Sequence, residues 1–189
     1  MSDFTAIMFS RTPVQRDIPG VIVLNPVQIV NGAAEMHAAR LRSLRQVKTR
    51  WCFFLDDDDE LPADYLNVLE ECAAPDQPLA YTNELMVVAG KEPTVLKSAP
   101  YTQDAHVMQP MLVHHLALMR TADAQRVARS LPQGRYWAEM LLAWQLAKGG
   151  AVWIDHTGYI WNRGVGLNAR WWTHEAQVRS AVWCHNNRS

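Results

Sequence analysis

Several absences limit what this chain of 189 residues can be. It has only 3 cysteines, Cys52, Cys72 and Cys184, far apart and without CxxC spacing. Neither a disulfide framework nor a zinc site is therefore expected, and reduced intracellular thiols fit best. No apolar run approaches the roughly 18 residues of a membrane span. The opening MSDFTAIMFSRTP lacks the basic and apolar regions of a secretory leader, so a cytoplasmic protein without a membrane span is expected. Charge is balanced, with a net of -1, and no overall field draws the protein to nucleic acid or to an acidic membrane. Any such binding has to be local. The sequence contains no internal repeat, no low-complexity tract and no linker rich in Ser, Gly or Pro, so residues 1–189 are expected to form a single domain. GxxxxGK(S/T) and GxGxxG are both missing, which removes the P-loop and the dinucleotide fingerprint.

What is present is a core-forming chain. Hydrophobic residues make up 49% and charged residues 20%, and a chain of this size buries roughly 70% of the surface it exposes when unfolded. Tryptophan is abundant at 8 residues, with Trp144, Trp153, Trp161, Trp171, Trp172 and Trp183 all late in the chain. They are core and interface side chains or stacking planes for sugars and bases.

Apolar runs at Phe4 to Phe9 and Val21 to Leu24, bounded by Pro and Gly, predict two buried strands. Ala34, Ala38, Leu41, Leu44 and Val47 recur every three or four residues, predicting an amphipathic helix over 33–48 whose basic residues include Arg40, Arg42, Arg45 and Lys48. Trp51 to Leu55 is short and uniformly apolar, as a central strand is. A helix follows over 63–73, with Pro62 near its first turn. Leu79 to Val88 and Pro93 to Ser98 flank Ala89-Gly90-Lys91-Glu92 and predict a strand pair that makes the sheet mixed. Residues 102–106 are expected to be a polar connection. A strand over 111–119, helices over 122–130 and 136–148, and short strands at 151–154 and 159–161 follow, with a helical tail over 173–184. Gly149-Gly150 stops the 136–148 helix. Strands alternating with helices predict an α/β fold with a Rossmann-like, mainly parallel, mixed sheet flanked by helices.

The strand Trp51 to Leu55 runs straight into Asp56-Asp57-Asp58-Asp59. On an extended backbone Asp56 and Asp58 project to one side, Asp57 and Asp59 to the other. Two carboxylates about 4 to 5 Å apart repel by roughly 3 to 4 kcal/mol at an effective dielectric near 20. A bound cation offsets that cost, and hard oxygen ligands favour Mg2+ or Mn2+. The C-terminal edge of a parallel sheet is also where open α/β folds place ligands. The competing possibility is a solvated acidic loop placing negative charge near the start of the next helix. An EF-hand loop fails, because Leu61 stands where its glycine belongs and a strand precedes it. A phosphatase-type DxDx(T/V) fails as well, having Asp-Glu where Thr or Val belongs.

Ala39-Arg40, followed by Trp51-Cys-Phe-Phe-Leu-Asp-Asp-Asp-Asp-Glu-Leu-Pro-Ala-Asp-Tyr-Leu66, resembles the family 2 glycosyltransferases of the GT-A fold. Met111 to Arg120 and Tyr136 to Gly150 resemble the acceptor half of the same family. The resemblance implies a single GT-A-like domain, with residues 1–100 as the nucleotide-sugar half and 101–189 as the acceptor half and tail. It implies inverting transfer of a sugar from a nucleoside diphosphate donor to a hydroxyl acceptor on a glycan or small molecule. By the same resemblance Asp56 and Asp58 hold Mn2+ or Mg2+ on the donor diphosphate, and Arg40 and Asp57 join them in the cofactor-binding set. Glu139, aligned through the Gly149-Gly150 stop, falls where the family carries its general base.

Three departures accompany the match. Only Arg11 to Gly20 separate the first two strands, Asn25-Pro26 stands where an acidic residue usually meets the nucleoside, and the family's late metal-contacting His is not in register. His156 is the residue placed in the metal set, with His174 the other nearby candidate. His114-His115 would line the acceptor side of the 111–119 strand. Leu167-Asn-Ala-Arg-Trp171 matches the Gln-x-x-Arg-Trp of processive members in its last two named residues only. Two alternatives stay open: a shortened GT-A binding module without catalysis, and a glycosyltransferase acting on a modified nucleic-acid base, whose binding would depend on salt.

Overall fold

The computed structural model of the chain describes residues 2–10, 16–28, 32–109, 112, 113, 116–163 and 171–188. Its centre is a seven-stranded sheet. Strand β1 (Phe4–Ser10) lies between β2 (Val21–Gln28) and β3 (Trp51–Asp56), parallel to both. Beyond β3 the sheet becomes mixed: β6 (Ala117–Arg120) pairs antiparallel with β3 and with β4 (Leu79–Val88). Along the whole of β4 runs β7 (Ala151–Arg163), parallel to it, while β5 (Thr94–Leu96) pairs antiparallel with β4 at Glu84 to Met86. The parallel ladders are the long ones, so the sheet is mainly parallel, as the sequence predicts.

Alternation along the strands sorts side chains into two apolar layers. Ile7, Phe9 and Cys52 face a core built with Leu41 and Leu44 of α1 (Ala33–Leu44), Val127 of α4 (Thr121–Ala128), Leu141 and Trp144 of α5 (Ala138–Leu146), and Cys184 of α6 (Trp171–Asn186). Phe4, Ala6, Trp51, Phe53 and Leu55 face the opposite core, with Val68, Leu69 and Cys72 of α2 (Tyr65–Ala73) and Tyr159 of β7. Helices thus cover both faces, and β3, buried on both, needs no polar alternation.

Three elements differ from expectation. Residues 103–106 belong to a helix, α3 (Gln103–Met108), because Thr102 Oγ1 accepts the Ala105 N–H and caps it. Of the strand expected over 111–119, the described residues 112, 113 and 116 lie outside a strand, and β6 begins at Ala117 and runs to Arg120. The two short strands expected at 151–154 and 159–161 are one long strand, which absorbs Asp155, His156 and Gly158 as irregularities against β4. Gly158 marks a close approach rather than a break. A Cβ there would lie 2.5 Å from Leu116 Cδ2 and 2.6 Å from Thr82 Oγ1. His114-His115 and Leu167-Asn-Ala-Arg lie outside the described residues.

The fold brings both halves of the chain to one sheet, since β6 of the second half sits between β3 and β4 of the first. The end of β7 also reaches the acidic run, where Glu60 and Ile160 exchange backbone hydrogen bonds.

Candidate functional site

Strand β3 ends at Asp56, and the chain turns at once, with Asp59 N–H donating to Asp56 O at 3.3 Å. That turn replaces the extended geometry expected for the run. It brings Asp59 round to join Asp56 and Asp58, so that each can offer an oxygen within 4.8 Å of the others. Asp57 is left exposed at the tip of the turn. Mutual repulsion at this spacing is about 3 kcal/mol per pair at an effective dielectric near 20.

The turn is held from β7. Tyr159 Oη donates to Asp59 Oδ2 at 2.9 Å and accepts the Asp56 N–H at 3.2 Å. Asn162 N–H donates to Asp59 Oδ1 at 2.8 Å, and its side-chain amide donates to Asp58 O at 2.8 Å. Arg16 Nη1 donates to Asp59 O at 2.6 Å. Asp59, only 2% exposed, is thereby the carboxylate that anchors the loop. Burial, reinforced by the charges of Asp56 and Asp59, pushes the Tyr159 hydroxyl well above its ordinary range, so it remains a donor.

Asp56 and Asp58 are half-buried beside this anchor. Asp56 Oδ1 accepts from Arg40 Nη2 at 3.0 Å, and the other arm of the same guanidinium reaches Glu139, with Nη1 at 2.7 Å from Oε1. Arg40 comes from α1 and Glu139 from the first turn of α5, so residues expected from three separate motifs form one charged network. Arg40 is 3% exposed, and its guanidinium lies 5.4, 5.6 and 5.5 Å from the ring centroids of Phe9, Phe54 and Trp137. The side chains of Asp56 and Glu139 keep 28% and 22% exposure, so both carboxylates face solvent from a buried cation. The start of α5 is itself fixed, because Trp137 N–H donates to Ser180 Oγ of α6 at 2.8 Å.

His156 does not join the carboxylates. Its two ring nitrogens face α2, with Nε2 3.1 Å from Asp64 Oδ2 and Nδ1 3.3 Å from Glu71 Oε2. Partial burial lowers its affinity for a proton, and the two carboxylates together outweigh that and raise it. Both nitrogens are thus engaged away from the cluster, and the metal set found among the described residues is Asp56, Asp58 and Asp59. His174 is exposed on α6, also outside that set.

Asp59 belongs to the acidic run read from sequence as a divalent-metal site, but its anchoring role was not expected, and Tyr159, Asn162 and Trp137 were not singled out at all. Tyr159 and Asn162 lie about a hundred residues from their partners, 100 for Tyr159 to Asp59, and only the β4–β7 register brings them back. Their one sequence signal is position, at the end of a strand.

No family model and no curated protein matches the chain. Among solved structures, the fold is similar to that of TarS from S. aureus. The crystal structure of TarS 1-349 superposes with a TM-score of 0.58 over 100% of this chain and 73% of that one, at 11% identity. TarS 1-349 in complex with UDP gives 0.59 over 100% of this chain and 67% of that one, at 11% identity. The complex with UDP-GlcNAc gives 0.54 over 88% and 60%, at 12% identity. Against a longer TarS chain, this one spans 37% of its length. Among the described residues no helix is long and apolar enough to cross a membrane.

Proposed function

We propose that the protein is a metal-dependent, inverting glycosyltransferase of the family 2 type, moving a sugar from a nucleoside diphosphate donor to a hydroxyl acceptor. The observation that carries this is the joining of Asp56, Asp58 and Glu139 at the C-terminal end of β3. Structures of a similarly folded protein with UDP and with UDP-GlcNAc support a uridine nucleotide sugar as the first donor to test.

The donor set fits a hard divalent cation. Asp59 is committed to Tyr159 and Asn162, which leaves Asp56 and Asp58 as the residues to hold Mn2+ or Mg2+. One or two carboxylates, with substrate phosphates completing the shell, is the usual protein share for Mg2+. The ion, when bound, neutralises charge that develops on the departing diphosphate. Glu139 accepts the proton of the acceptor hydroxyl as that oxygen bonds to the anomeric carbon and the bond to the diphosphate breaks on the opposite face. A carboxylate placed within hydrogen-bond reach of the hydroxyl contributes about 100- to 10,000-fold in such a step.

The test is a panel of uridine and guanosine diphosphate sugars with Mn2+, followed by thermal unfolding and by release of the free nucleotide. One donor is expected to stabilise the protein by about 2.7 kcal/mol at 100 times its dissociation constant and to be turned over with Mn2+ alone or with an acceptor. If no nucleotide sugar shifts the melting curve, the proposal fails. A donor that binds and is never cleaved or transferred would point to a binding module.

A further inference from the structure

We infer that Arg40 is a positioning residue that does not touch the donor: its fork ties the ion-holding Asp56 to the proton-accepting Glu139, so that the two sides of the site are built as one piece. The inference rests on the proposed glycosyl transfer for its kinetic readout, and it replaces the donor-binding role expected for Arg40 from sequence.

A guanidinium that grips a diphosphate must present its planar edge to the ligand. In Arg40 that edge is taken. Nη1 donates to Glu139 and Nη2 to Asp56, at 2.8 and 3.0 Å. Nε is buried and has no hydrogen-bond partner among the described residues, so the group is turned to satisfy the two carboxylates and nothing else. Its faces are covered by Phe9 of β1, Phe54 of β3 and Trp137 at the start of α5. Leaving this box for a donor would strip all three aromatic contacts and abandon two carboxylates together.

The geometry also explains why the residue is Arg. Asp56 and Glu139 lie 16 and 99 positions from Arg40 in sequence, on a strand end and a helix start with no backbone link to set their separation. A planar fork with two arms spans both acceptors, whereas the point charge of Lys satisfies one and leaves the other. Ser180 holds the Trp137 N–H, so the aromatic cover over the guanidinium is fixed in turn by α6.

The experiment compares wild type, Arg40→Ala and Arg40→Lys by calorimetric titration with Mn2+ and by initial rates over a range of donor concentration, with and without added guanidinium at concentrations well below those that unfold the protein. Arg40→Ala is expected to bind Mn2+ about 10- to 100-fold more weakly, the usual cost of losing a group that orients a metal ligand. Its kcat is expected to fall about 100-fold, the scale of a misplaced catalytic group, while the donor KM stays close to wild type. Guanidinium entering the vacated aromatic box should recover both quantities, and ammonium at the same ionic strength should recover neither. A raised donor KM with an undiminished kcat would place Arg40 on the donor and overturn the inference. So would an Arg40→Ala protein that matches wild type in Mn2+ affinity and kcat. Should Arg40→Ala not fold, Arg40→Lys carries the same comparison: a lowered kcat at unchanged donor KM supports the inference, and an unchanged kcat refutes it. If wild type cleaves no nucleotide sugar, the proposed function falls and the Mn2+ titrations decide alone, equal affinities for wild type and variant overturning the inference.

Discussion

Replacing Tyr159 by Phe removes one oxygen from the centre of the site and leaves the buried ring in place. That oxygen donates to Asp59 Oδ2 and accepts from the Asp56 N–H, so its loss acts on both ends of the acidic turn. A hydrogen bond to a charged acceptor contributes about 1.5–3 kcal/mol, and an orphaned buried group costs about 1–3 kcal/mol. Asp59 keeps the Asn162 N–H, which moderates the first figure, and Phe fills the ring volume and adds no cavity. A net destabilisation of about 3 kcal/mol follows, equal to roughly 6–12 °C in melting temperature for a chain of this length. Thermal and urea unfolding measure it directly, with an unchanged urea slope confirming that the native and unfolded states are otherwise alike. Because the turn also sets Asp56 against Asp58, the folded variant should bind Mn2+ more weakly. A loss of less than about 1 kcal/mol, the net value of one ordinary hydrogen bond, together with unaltered Mn2+ binding, would refute the role given to Tyr159.

Other outcomes follow from neighbouring side chains. Burial lowers the His106 pKa to about 4, with a smaller opposing contribution from the Met140 backbone, and among the described residues neither ring nitrogen has a hydrogen-bond partner of good geometry. Between an unfolded value near 6.5 and the folded one, the unfolded chain binds more protons, so stability is full above pH 6.5 and falls by up to about 3 kcal/mol as the pH drops through 4. Urea melts of His106→Phe should show a shallower loss over that window than wild type, and parallel losses would contradict the assignment. Glu139→Gln keeps an acceptor for Arg40, so donor and Mn2+ binding should persist while transfer falls at least about 100-fold; an active variant would remove Glu139 as the base. His156→Gln should leave Mn2+ affinity unchanged, since both ring nitrogens face Asp64 and Glu71, and a clear weakening in the same titration would return His156 to the metal set.

Much of the frame was legible because burial imposes simple patterns. The uniformly apolar Trp51 to Leu55 reports a strand covered on both faces, and the strand expected over Leu79 to Val88 is observed with those bounds, ending at the Ala89-Gly90 turn. Asp56, Asp58, Arg40 and Glu139 could be named from sequence. That the Arg40 guanidinium joins two of them, Asp56 and Glu139, could not, since the joining depends on how α1, β3 and α5 pack. The alternation expected for Asp57 and Asp59 failed because the chain turns at Asp56, and a run of four identical residues does not reveal where a strand ends. His156 lies apart from the carboxylates for a related reason: its position in a β7 irregularity aims it at Asp64 and Glu71 of the segment around α2, and such an irregularity leaves little mark beyond a nearby glycine. Thr102 carried a capping signal that outweighed the polar character of the segment after it.

The central claim is that Asp56 and Asp58 form a cation site serving a nucleoside diphosphate. Calorimetric titration of Mn2+ with UDP into wild type and Asp58→Asn, each shown to be folded by circular dichroism, tests it most directly. The account predicts that wild type binds Mn2+ and UDP cooperatively, each tightening the other, and that Asp58→Asn loses Mn2+ affinity by at least about 10-fold and loses the cooperativity with it. Equal Mn2+ binding by the two folded proteins would contradict it.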